Sequence, residues 1–364
     1  MNVFDLIRSV VTGTVGAFAA PSPLFAMINQ PLHTSRRRFR VVAAGVALLV
    51  AVTVFAGIPR AGASDRAAAS SIWVPARGAL LGAYVEPKGW TQAEVRTAIR
   101  RLERTMDRKL AIDSHYASWG SKFPGRAVGW DLSNGRVPMY SGMAYSTAEI
   151  NSGSQDQYIR GRARAVHRLD RNVLIRWFPE MDAKAHRSLR GSPRAFRKAW
   201  RRIVRLFRDE GARNAEFVWC PDSYAFRTGR AQPFYPGDGY VNWICADGYN
   251  WSPRLPGDRP GGKWHPFRDL FPDFYRFGLA HHKRMMVGET GAQESTAGRK
   301  ATWISRLARA LRTRYPRIKA VVYFDAIGSS NGGGTYNWRL DTSQSALDAW
   351  VRLSHAPWLN RQRP

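Results

Sequence analysis

Cysteine is nearly absent from this chain, which carries two among 364 residues, Cys220 and Cys245. Neither belongs to a CxxC pair or stands at metal-ligand spacing from histidine, so a zinc module and a disulfide-stapled mini-fold are excluded. Both lie in apolar runs; two buried free thiols are expected, with a disulfide as the alternative in an exported protein. Acidic residues are scarce as well, 27 against 56 Lys and Arg, a formal net charge of +29. Such a surplus can draw in nucleic acid, anionic lipid or acidic polysaccharide through its long-range field. No zinc finger, RNP-like run or other nucleic-acid module accompanies it, so nucleic acid is not expected as a partner. The basic residues are spread over helical stretches such as AIRRLERTMDRK and AWRRIVRLFRDE. They read first as a bias toward arginine on solvated faces, which leaves an acidic glycan or a charged cell envelope open. There is no short internal repeat and no linker long enough to divide a second domain.

Hydrophobic residues make up 44% of the chain, enough for one large core. Ahead of that core, Arg36, Arg37, Arg38 and Arg40 precede the apolar run 41–58, VVAAGVALLVAVTVFAGI, and Ala61-Gly62-Ala63 follows it. A basic head, an apolar middle and an A-x-A end make an export signal. SRRRFRV resembles a twin-arginine signal, although Arg40 and Val41 depart from that pattern, so a Sec route or an uncleaved anchor through 41–58 is the alternative. Residues 1–63 are therefore set outside the fold, with Met27 as an alternative start and 1–26 as a mis-annotated lead. They hold six Arg and one Asp, which leaves +24 on the remainder. The expected product is secreted or extracytoplasmic, and a monomer.

After a short lead-in, 64–79, apolar runs alternate with amphipathic ones. Strands are expected at 80–87, 109–117, 137–145, 172–180, 215–222, 240–251, 284–290 and 318–327. Helical periodicity marks 91–107, 156–170, 193–210, 297–315 and 343–354, with Ser192-Pro193 as a start signal. Eight strands separated mostly by helices predict an α/β fold of the (β/α)8 TIM barrel type over 80–355.

Two glutamates end apolar runs in this pattern, Glu180 in VLIRWFPEMD and Glu289 in RMMVGETG. In such barrels the reactive groups stand where strands end, so Glu180 would close strand four and Glu289 strand seven. Two carboxyl groups across a cleft can cleave a glycosidic bond, one protonating the leaving oxygen while the other attacks the sugar or activates water. Alternation places residues 176, 178 and 180 on one face of strand four and Asp247 and Tyr249 on one face of strand six. Fourteen Trp and thirteen Tyr suit stacking against pyranose rings. Trp219 is the first candidate platform, with Trp177, Trp251, Trp264 and Trp338 near strand ends or in loops. Asp247 either touches substrate or caps a loop; His115 either lines the cleft or is a hydrogen-bonded structural histidine. GSSNGGGTYNW (328–338) reads as a loop over the mouth, its glycines too irregular for phosphate binding. No metal or other cofactor is expected.

LIRWFPEMD, the run FRKAWRRIVRLFRDEGARNAEFVWCPD, YPGDGYVNWICADGYNW, MMVGETG and the stretch from Lys300 through YPRIKAVVYFD together resemble glycoside hydrolase family 26, the β-mannanase-like family. The resemblance spans about residues 80–352 in order. It implies a barrel that hydrolyses β-linked polysaccharide with retention, with Glu180 as acid/base and Glu289 as nucleophile. It further implies Tyr249 as the tyrosine bonded to that nucleophile and Arg176 as the supporting arginine. The chain departs from the family at Pro179, where His is usual, and at Asp182 and Asp222, where Asn is usual. The missing His removes a hydrogen-bonding partner near the sugar, so mannan specificity is not implied. Two further readings are a non-hydrolytic carbohydrate-binding barrel of the envelope and a hydrolase or transglycosylase acting on an anionic exopolysaccharide.

Overall fold

A computed structural model describes residues 72–252, 263–294, 296–329 and 335–359. The expected export signal or anchor, 1–63, lies outside them. Among the described residues no helix is long and apolar enough to cross a membrane. The first half of the barrel runs β1 (Leu80–Val85), α1 (Gln92–Met106), β2 (Ile112–Ala117), α2 (Arg126–Ser133), β3 (Val137–Gly142), α3 (Thr147–Ser152), α4 (Asp156–His167) and β4 (Val173–Trp177). The second half runs α5 (Arg187–Arg190), α6 (Pro193–Asp209), β5 (Ala215–Trp219), α7 (Ser223–Arg227), β6 (Trp243–Asn250), α8 (Pro272–Ala280), β7 (Arg284–Ala292), α9 (Arg299–Thr313), β8 (Ile318–Asp325) and α10 (Gln344–Ser354), with a hairpin of β9 (Ile327–Ser329) and β10 (Thr335–Asn337) after β8. All eight expected strands form, and all eight pair in parallel, in sequence order, into a closed (β/α)8 barrel. β1 closes the ring against β8 from Leu80↔Ala320 to Val85↔Asp325. Most expected strands were drawn too long at their C-terminal ends, where the chain turns to build the mouth.

The helices form for local reasons and are held by their apolar faces. In α1, Thr91 and Glu94 cap one another's backbone in a capping box. In α6, Ser192 accepts from the Ala195 amide and Pro193 occupies the first turn. Phe196, Trp200, Ile203, Val204 and Phe207 then bury one stripe of α6 against the sheet, each contributing about 1.5–3 kcal/mol. The short helices α2, α5 and α7 and the aromatic α8 lack a long amphipathic repeat, which is why periodicity alone passed over them.

Inside the ring, side chains stack from an apolar floor to a polar mouth. Leu80, Ile112, Met139, Leu174, Val218, Trp243, Met286 and Ala320 fill the lower layer. Beneath it, the Glu216 carboxylate accepts from the Ile72 amide at 2.6 Å and from Trp243 Nε1 at 2.5 Å. That carboxylate ties the lead-in across the closed end, the face where stability rather than chemistry resides. Cys220 and Cys245, expected as free thiols, are instead bonded to each other across β5 and β6, with Cα atoms 4.3 Å apart. Adjacent strands bring the two inward-facing sulfurs together, a proximity that linear spacing of 25 residues does not reveal.

Candidate active site

At the C-terminal mouth, inward positions on β2, β3, β4, β6 and β7 converge on one buried guanidinium. Arg176 is fully buried. Its Nε donates to Ser141 Oγ at 2.8 Å, and its Nη1 donates to both oxygens of Asp247 at 2.8 and 3.0 Å. Its Nη2 donates to Glu289 Oε1 and lies 3.3 Å from the Tyr116 hydroxyl. Burial opposes the charge on Arg176, but Asp247 and Glu289 outweigh it and hold the guanidinium firmly protonated. Glu289 is enclosed by three donors: Tyr116 and Arg176 on Oε1, and Tyr249 on Oε2 at 2.5 Å. Burial, with the Glu289 charge beside each, pushes both phenols well above their ordinary range, so they remain O–H donors.

Glu289 owes its direction to an irregularity. Asp247 pairs with Glu289 after Ala246 has paired with Val287, so Gly288 is bulged out of register. A bulge re-aims the next side chain, and Glu289 turns inward. A Cβ on Gly288 would stand 2.4 Å from Cys245 Sγ and 2.8 Å from Asp247 Oδ1, so only glycine fits.

Glu180 approaches from the other wall. Phe178 and Glu180 both adopt positive φ, 53° and 49°, beyond the end of β4, a conformation uncommon for side chains of this size. The Glu180 amide donates to the Cys220 carbonyl at 2.8 Å, which pins the turn to β5. Its carboxyl is raised well above the usual carboxylate range, by burial first, then by Asp222, Glu289 and Asp182, with Arg176 a partial offset. Asp182 accepts from the Asp222 amide at 3.0 Å, and Asp222 caps α7 through the Tyr224 amide at 2.7 Å. Burial and then Asp182 push Asp222 up to about 7. The arrangement therefore pairs a proton-holding carboxyl with one clamped by three donors.

Several expected positions fall elsewhere. Phe178 does not share the inward face, because the positive φ breaks the alternation; it packs with Trp177 against Phe196. Trp177 points outward and stacks on Phe196 under α6, 5.4 Å between centroids. Trp219, the expected platform, is fully buried behind β5 against Phe226, Tyr235 and Phe277; Val218 and Cys220 hold the inward positions, so Trp219 faces the helices. His115 lies behind β2, where Nε2 meets Asp131 of α2 at 2.6 Å and Asp113 at 3.5 Å. It is the structural histidine of the two alternatives. Asp247 is fully buried beneath the mouth and serves Arg176 rather than substrate.

Trp251, one residue past β6 at the rim, is partly exposed, as Trp264 is, and packs on Tyr249, Tyr336 and Trp338. Trp338 is buried, and Trp264 lies under the Arg299 guanidinium at 4.3 Å. The hairpin β9–β10 anchors the ends of the glycine-rich loop, of which 330–334 lie outside the described residues. Tyr116 and Ser141 were not foreseen. Tyr116 shares its face with Ile112 and Ser114, a period-2 signal one residue away from the His115 that drew attention.

No family model matches the chain. Over 267 residues it is 27% identical to Endoglucanase H of Acetivibrio thermocellus, a match that covers 70% of this chain and 28% of that protein. The chain thus spans less than a third of that curated relative. Among solved structures, the catalytic domain of a GH26 endo-β-1,4-mannanase from Bacillus sp. JAMB-750 superposes with a TM-score of 0.57 at 14% identity, covering 78% of this chain and 87% of that one. A GH26 β-mannanase from Bacteroides ovatus gives 0.55 at 13%, covering 78% and 90%. A modular endo-β-1,4-mannanase from Cellulomonas fimi gives 0.55 at 14%, covering 78% and 71%. In fold the chain is similar to the (β/α)8 barrels of GH26 mannanases, and in sequence it is similar to part of Endoglucanase H.

Proposed function

We propose that the barrel is an endo-β-glycosidase that cleaves a β-linked polysaccharide, a β-mannan or a related β-glucan or xylan, by double displacement with retention. The carrying observation is the asymmetry of the two mouth carboxyls. Glu289 is held by Tyr116, Arg176 and Tyr249, which keeps its lone pairs aimed for attack. Glu180 carries a raised pKa in the same mouth, as a general acid requires. In the first step a Glu289 oxygen bonds the anomeric carbon as the glycosidic C–O bond breaks, and Glu180 gives its proton to the leaving oxygen. In the second, Glu180 takes a proton from water, whose oxygen displaces Glu289 from the anomeric carbon. Retention calls for carboxyl groups about 5–5.5 Å apart. Arg176 and Asp247 position the nucleophile from below, and Trp251 is the rim residue placed to stack on a sugar.

The work is assigned outside the cytoplasm, on the basic-apolar-small pattern of 36–63, by a monomer without a metal. Purified 64–364, as wild type and Glu289→Ala, is incubated with mannans, mixed-linkage glucans, xylans and acidic exopolysaccharides, and new reducing ends are measured. Release by wild type alone is expected. Equal release by both would remove Glu289 as nucleophile; silence from both with polysaccharide still bound would leave a binding barrel.

A further inference from the structure

The chain's positive charge is not uniformly solvated. After Glu180, the segment leading into α6 carries Lys184, Arg187 and Arg190, which with Phe234 line a groove of about 740 Å³. Directly beyond it, Arg194, Arg197, Lys198, Arg201 and Arg205 line a second groove of about 390 Å³. On α6 these residues recur at i, i+3, i+4, i+7 and i+11, one stripe opposite the apolar face, along a helix roughly 25 Å long. Among the described residues none of these eight cations is ion-paired with a carboxylate, whereas Arg202 on the adjacent stripe is paired with Asp156 at 2.6 Å.

Several of the guanidinium groups are also held in place. Arg201 Nε donates to the Pro236 carbonyl at 2.6 Å, and Arg197 donates to the Pro233 carbonyl. Arg190 lies over the Phe234 ring at 4.7 Å, and Arg201 over the Tyr240 ring at 5.3 Å. Each retains further N–H donors for an outside acceptor. Fixed, unpaired forks lose little freedom on binding carboxylate or phosphate. The mouth gathers the carboxyl groups of Glu180, Asp222, Asp247 and Glu289, whereas the cations that lack a carboxylate partner stand on this flank.

We propose that the flank formed by the β4–α6 segment and α6 is a binding strip for an anionic polysaccharide, which makes a glycan bearing carboxylate or phosphate groups the substrate class of the barrel. The proposal deepens the glycosidase reading and rests on it for the word substrate, whereas binding by the strip is measured without turnover. Glu289→Gln protein is titrated with polyglucuronate and with neutral glucomannan at about 20 and 500 mM NaCl. Polyglucuronate is expected to bind at least tenfold more tightly at the lower salt than at the higher. Adding Arg194→Glu, Lys198→Glu and Arg205→Glu is expected to weaken it at least tenfold, with glucomannan affinity and melting temperature unchanged. If the charge-reversed protein does not fold, the Gln triple at the same positions replaces it, with a smaller loss in the same direction.

Unchanged polyglucuronate affinity in the folded triple variant would overturn the proposal. So would strip-dependent binding to duplex DNA, or to vesicles containing phosphatidylglycerol, without glycan binding. Hydrolysis of neutral glycans by wild type is scored separately, so failure of the glycosidase reading and failure of the strip are told apart.

Discussion

Arg176→Met and Asp247→Asn should differ sharply, although they remove opposite ends of one ion pair. In the wild type a single buried cation faces Asp247 at 2.8 Å and is bonded to Glu289. Arg176→Met leaves two buried carboxylates facing each other with no cation between them. Removing one partner of a buried pair in this way costs about 3–5 kcal/mol. At roughly 2–4 °C per kcal/mol for a domain of this size, the melting temperature should fall by on the order of 6–20 °C. Asp247→Asn keeps the shape and leaves Arg176 matched by Glu289, so its loss should be nearer 1 kcal/mol, the scale of one weakened hydrogen bond.

The pH dependence carries the sign. Asp247 is already raised in the wild type, by burial first, with Arg176 as the opposing influence. Without Arg176 its folded form holds a proton more tightly still, and a carboxyl raised on folding loses its contribution as pH rises. The Arg176→Met deficit should therefore grow between pH 4.5 and 7.5. Urea denaturation of the three proteins across that range is the assay. Equal destabilisation by both variants, or a deficit independent of pH, would refute the charge balance described for the mouth.

Tyr116→Phe and Tyr249→Phe each remove one donor from Glu289, on different oxygens. At about 1.5–3 kcal/mol for a hydrogen bond to a charged group, each should lower kcat/KM by roughly 10- to 150-fold with little change in folding. An inert Tyr116→Phe would remove that residue from the site. In the proposed mechanism Glu180 acts protonated, and its carboxyl is raised, so kcat/KM should fall as pH climbs through that elevated pKa. Glu180→Gln should abolish this alkaline limb and cost about 10²–10⁴-fold on poor leaving groups, with activated aryl glycosides largely spared; pH–rate profiles on both substrates check it. Gly288→Ala should destabilise by about 1–3 kcal/mol or more through crowding against Cys245 and Asp247, read by thermal melting, and should lower activity by displacing Glu289.

The order of eight strands, the ring they close and the two strand-end glutamates were legible in the sequence, because apolar runs and helical periodicity depend only on neighbours along the chain. Alternation also grouped Asp247 with Tyr249 on one face of strand six. What it did not supply was which set faces the axis. A parallel barrel buries both faces of every strand, so Tyr116 and His115, or Trp219 and Cys220, look equally apolar in their surroundings when read along the chain. Closure decided it: His115, Trp177 and Trp219 went to the helices, while Tyr116 and Ser141 went to Arg176. Tertiary structure also decided the two places where alternation itself fails, the positive φ at Phe178 and Glu180 and the bulge at Gly288. Both put a glutamate where a regular strand would not, and both depend on contacts between strands that are distant in sequence: Cys220 beside Glu180, and Asp247 with the Cys220–Cys245 pair beside Gly288. Local pattern thus determined that two carboxyls arrive at the mouth, and only the closed ring determined how they are aimed.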